Sequence, residues 1–126
     1  MTAMLLALGL LAAGAAAAVG LSRTRVIWPA PFLAVAGSAL AAIAGLGILV
    51  TGRTRDVALS WQVPLGTLHV GLDALSAVFV VLIGGMGVLA AVYGLGYLDQ
   101  RGADPKKAMS WCWYNLLLAA MLMVVM

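Results

Sequence analysis

The sequence predicts an all-α membrane protein of three to four transmembrane helices, with a short β-hairpin in the outer loop between helices two and three. Three observations lead there. The 126-residue chain is 65% hydrophobic and only 9% charged, whereas soluble domains carry about 25% charged residues. Its apolar residues fall in long uncharged runs, and a spanning helix needs roughly 20 such residues to cross a hydrocarbon core about 30 Å thick. Its charges are confined to the short connections between those runs.

The first helix is expected over about 2–21. It is a single apolar run with no basic residue before it and Arg23 and Arg25 after it. A secretory signal has the opposite polarity, so this helix is read as retained. The second is expected over about 26–51, with Pro29 and Pro31 suited to a first turn, where a missing N–H costs nothing. Ala12, Ala16 and Gly20 recur every four residues, as do Gly37, Ala41 and Gly45. Such small-residue faces allow close helix approach in lipid, and the simplest reading is general packing within a bundle rather than a dedicated dimer motif.

The outer loop, 52–73, differs in period. Val57, Leu59, Trp61, Val63 and Leu65 alternate with smaller or polar residues, and Leu68, Val70 and Leu72 do so after the turn-like stretch 64–67. Period-two alternation marks strands, so the loop is read as a hairpin with Trp61 at headgroup level; an extended loop is the alternative. The third helix is expected over about 74–98. Asp73 stands at its start, where a carboxylate can accept from the free N–H groups of the first turn and meets the positive end of the helix dipole. Tyr93 and Tyr97 near its far end suit the membrane interface, as do Trp28, Trp111, Trp113 and Tyr114. The fourth helix is expected over about 108–126. Its 16 residues from Trp111 onward are marginal for a full span, and the chain is read as the N-terminal part of a longer polytopic protein.

Other functions are excluded by what the chain lacks. Its formal net charge of +3 comes from seven basic residues scattered over three loops, too dispersed for a nucleic-acid groove. One cysteine, Cys112, and one histidine, His69, leave neither an intrachain disulfide nor metal-ligand spacing. Cys112 reads as a small buried hydrophobe and His69 as a solvated loop residue. Inside the spans stand Ser38 and Asn115, the latter a candidate for hydrogen bonding to a neighbouring helix. No Glu, Lys, Arg or His falls within a span, so no proton relay is visible.

The stretch 68–98, with "GLDALSAVF" at its start and "YGLGY" at its end, resembles the N-terminal part of the antiporter-like membrane subunits of respiratory complex I, Mrp-type antiporters and group-four membrane-bound hydrogenases. Leu72, Asp73, Leu75, Ser76 and Phe79 match the pattern that opens the family's third helix. Tyr93, Gly94 and Tyr97 match the one that closes it. Asn115, Leu116 and Met121 match the run that opens helix four, where Leu117 replaces the usual Phe and Ala120 the usual Ser. The resemblance covers about residues 55–126 and looks closest to the large membrane subunit of formate hydrogenlyase and hydrogenase-four complexes. Ala91 and Val92 stand where the largest complex I subunit of this type has its His-containing inner end.

The resemblance implies a subunit of about fourteen helices that moves protons or sodium ions, with its ion-carrying Glu and Lys residues on later helices. The expected role of this chain is therefore helical scaffold, with Asp73, Ser76, Tyr93, Tyr97 and Asn115 as structural residues and no catalytic residue, cofactor or metal. Its expected partners are the lipid bilayer and other membrane subunits of an oxidoreductase complex, with no nucleic acid. It would sit in the prokaryotic plasma membrane. The alternative is a small stand-alone polytopic scaffold or assembly protein without transport activity.

Charge bias sets the expected topology. Arg23, Arg25, Arg101, Lys106 and Lys107 lie in the first and third loops, and only Arg53 and Arg55 in the second. The positive-inside rule then places the N-terminus and the second loop outside. Cysteine placed at Thr54 should label with an impermeant reagent from outside, and cysteine at Ala103 should not, in a Cys112→Ser background. The reverse pattern would overturn the topology.

Overall fold

The computed structural model describes residues 2–20, 29–52, 55–63, 66–99 and 105–125; of 55–63, 66–72, 98, 99 and 105 it describes only the backbone. Four helices follow one another: α1 (Thr2–Gly20), α2 (Pro29–Thr51), α3 (Ala74–Asp99) and α4 (Pro105–Val125). All four are long and apolar enough to cross a membrane. Between α2 and α3 the backbone runs as two antiparallel strands, β1 (Arg55–Val63) and β2 (Gly66–Leu72). The pairing matches Val57 with Val70 and Leu59 with Leu68, and shifts between Leu59 and Gln62. The side chains of Trp61 and His69, the turn at 64–65, and Trp28, Arg23, Arg25, Arg53, Arg101 and Asp104 lie outside the described residues.

The helix ends have local causes. Two prolines in the first turn of α2 fit positions whose N–H would be unpaired anyway. At its other end Gly52 adopts φ 62° and donates its N–H to the Ile48 carbonyl at 2.9 Å, a left-handed cap that favours glycine. Thr51 Oγ1 adds a bond to the Gly47 carbonyl at 2.7 Å. α4 begins at Pro105, a turn earlier than the apolar run suggests. Proline is well placed at a helix start, and the two lysines that follow hold their charges at the membrane surface.

The helices pack in the circular order α1, α2, α3, α4. α2 is the hub, lying along both α1 and α3; α4 closes onto α1, and its seam with α3 is much sparser. Leu5, Ile43, Leu82, Met86, Leu117 and Val124 point outward, as expected where lipid is the solvent. The interior is built largely from alanine and glycine, because lipid supplies no hydrophobic force between helices and close van der Waals packing must hold them together.

The stripe Gly37, Ala41 and Gly45 is buried, yet it serves two interfaces. A Cβ on Gly37 would stand 2.9 Å from Leu11 Cγ of α1, and one on Gly45 2.9 Å from Val81 Cγ2 of α3. The matching stripe expected on the first helix does not pack. Ala12, Ala16 and Gly20 are exposed, and α1 turns Met4, Ala7, Leu11, Gly14 and Ala18 inward instead. A run made almost wholly of Ala, Gly and Leu offers several such faces, and the partner selects one.

The tightest approach is at Gly84. A Cβ there would stand 2.6 Å from the Ser38 carbonyl oxygen and 2.8 Å from the Ala42 nitrogen, whereas one on Gly85 would meet nothing within 4 Å. Gly84→Ala must push two backbones apart and should cost about 1–3 kcal/mol, as overpacking does. Gly85→Ala should be neutral or gain up to about 1 kcal/mol of helix propensity. Unfolding of the purified protein in detergent should separate the two variants, and equal stability would contradict this packing.

Candidate functional site

The polar groups of the interior form one layer. On one side lies an apolar cluster of Met4, Ala7, Leu11, Ala41, Val80, Leu118 and Leu122. On the other lies a second, of Ala18, Ala30, Ala34, Ala91 and Trp111. Between them, along each helix in turn, come Gly14, Ser38, Gly87 and the pair Tyr114–Asn115.

Asn115 is fully buried. Its Nδ2 donates to the Trp111 carbonyl at 2.9 Å, one turn back on α4, and reaches the Ala30 carbonyl of α2 at 3.4 Å. The first is a full hydrogen bond and the second is long and weak. Two carbonyls on that side fix the amide orientation, since an oxygen there would face two others. Oδ1 therefore turns to α1, where it has no hydrogen-bond donor. It faces Gly14 so closely that a Cβ would stand 2.6 Å away. The glycine's Cα–H occupies that direction, a weak donor common at helix–helix contacts.

Ser38 repeats the pattern. It is buried, and its Oγ has no hydrogen-bond partner. A Cβ on Gly87 would stand 2.7 Å from it. Tyr114 donates its hydroxyl to the Gly87 carbonyl, linking α4 to α3. Its ring meets that of Trp111 edge-on, with centroids 5.6 Å apart and planes at 90°. Trp111 is only 4% exposed and Tyr114 half-buried, and both point into the bundle, while Trp113 is 63% exposed. Helical spacing decides this, because 111, 114, 115 and 118 share the face that α1, α2 and α3 cover.

The remaining predicted residues lie apart from this layer, at the two ends of α3. Asp73 is exposed. Its Oδ1 accepts the Ser76 N–H at 2.7 Å, and its carbonyl accepts the first helical bond from Ala77 at 2.9 Å, the geometry of an N-cap. The Ser76 bond holds the carboxyl below its ordinary value of 3.8, because bonding to the charged form favours it. Tyr93 and Tyr97 stack at the opposite end, with centroids 6.1 Å apart and planes at 12°. Asp73 and Ser76 thus form one unit, the two tyrosines a second, and Asn115 belongs to neither.

Sequence reasoning missed Gly14, Gly87 and the inward turn of Tyr114. Gly14 stands in an Ala-rich run where Ala looks interchangeable with it, and only the opposing amide oxygen makes it special. Among the described residues, no group of three or more His, Cys, Asp or Glu side chains comes together to hold a metal. Nor do the described span side chains include Asp, Glu, His, Arg or Lys beyond the lysines in the first turn of α4. The layer can lock helices in register, and among its described side chains there is no carboxylate, imidazole or amine to carry a proton.

Two curated relatives, both called NADH-quinone oxidoreductase subunit L, come from Mycobacterium tuberculosis strains CDC 1551 / Oshkosh and H37Rv. Each is 39% identical to this chain over 67 residues, half of this chain and 10% of the relative. The chain thus spans about a tenth of the length of those relatives. No family model matches it, and no solved structure does.

The cap gives a pH signature. Asp73 has a lowered value in the folded protein, so its contribution is complete above the unfolded value near 3.8 and is lost as pH falls through the folded value. Asp73→Asn keeps an accepting oxygen and does not titrate; Asp73→Ala removes the acceptor. In thermal unfolding from pH 7 down to 3, the wild type should lose stability relative to Asp73→Asn only at the acid end. Asp73→Ala should be less stable than both at pH 7. Parallel curves for wild type and Asp73→Asn throughout would remove the carboxylate from the cap.

Proposed function

We propose that this chain is the helical scaffold of an ion-translocating membrane subunit, of the antiporter-like kind, in a prokaryotic respiratory or hydrogenase complex. The likeness to the subunit L relatives supports the assignment to such a subunit. The observation that carries the scaffold role is the interior itself: its polar layer is neutral and closed around glycine contacts. A charge crossing bare hydrocarbon costs several kcal/mol or more, so the ion must travel on helices other than these four. Asp73, Ser76, Tyr93, Tyr97 and Asn115 then hold the scaffold and carry no ions. The N-terminus and the β1–β2 segment lie outside, and the partners are other membrane subunits of the complex. Ala91 and Val92 before Tyr93 favour the hydrogenase-four branch, and the names of the relatives favour the complex I branch.

Purification of the tagged chain from its native membranes in mild detergent tests the assignment. It should run on a native gel with membrane subunits of an oxidoreductase. An activity stain for NADH oxidation or for hydrogen oxidation then separates the branches. Migration alone, at its own mass, would favour a stand-alone scaffold.

The scaffold role has its own test. The purified chain in liposomes, under an imposed pH gradient and potential, should pass protons and sodium no faster than protein-free liposomes. Saturable flux that disappears in Asn115→Leu would place the ion path in this bundle.

A further inference from the structure

We draw no further inference here: the strongest candidate, the pocket of about 140 Å³ in the seam between α3 and α4 lined by Ala90, Gly94, Ser110, Trp111 and Tyr114, opens between the exposed Ala90 and Ser110, and nothing in the structure shows what covers it.

Discussion

The rest of the bundle depends on how closely α2 and α3 approach at Gly84. In water, burying apolar side chains would drive two helices together at almost any spacing. In lipid that force is absent, and attraction must come from many atoms in contact at once, each pair giving only about 0.1–0.2 kcal/mol. With a Cβ on Gly84 excluded by the Ser38 carbonyl and the Ala42 nitrogen, the two backbones meet directly. That contact makes α2 a fixed rod, and α1 packs along its other side where Gly37 receives Leu11.

Close approach also explains how the interior tolerates polar groups. Asn115 Oδ1 and Ser38 Oγ are buried without hydrogen-bond partners, and an unsatisfied buried polar atom costs about 1–3 kcal/mol. Each faces a glycine whose Cα–H can approach because no side chain stands between. The weak bonds offset part of the cost, and the Tyr114 hydroxyl on the Gly87 carbonyl ties the fourth helix to the third at the same depth. These contacts align at one level between two apolar clusters, so they specify the vertical register of the helices. Apolar packing alone would not, since one Ala-rich face slides past another with little change in contact.

The same logic separates inside from edge. Where α3 and α4 meet, Ala90 and Gly94 border a gap of about 140 Å³ that Ser110, Trp111 and Tyr114 line from the other side. Trp111 is shared between the two settings: one side packs on Ala18, Ala30 and Ala34, and its ring edge borders the gap. A large aromatic at this position both completes the inner cluster and shapes the seam.

Much of the fold was legible in the residues. Uncharged runs separated by charged connections point to three to four membrane-length helices, because hydrocarbon excludes charge and a helix is the one local structure that satisfies its own backbone there. Asp73 before an apolar run reads as a cap because capping is local, needing only the N–H groups three residues on. What the sequence could not determine was the facing of each helix. The stripe at Ala12, Ala16 and Gly20 is as small as the one that packs, and the approach of α2 chose the face with Leu11 and Gly14. Trp111 and Tyr114 carry the composition of an interfacial belt, and the rotation of α4 put them inside. Gly14 and Gly87 look replaceable by alanine until Asn115 and Ser38 stand opposite them. Apolar length, polarity and the Asp73 cap are properties of one segment and its solvent, so the sequence by itself determined them. Facing, register and the gap at the α3–α4 seam are relations between segments, and tertiary packing alone decided them.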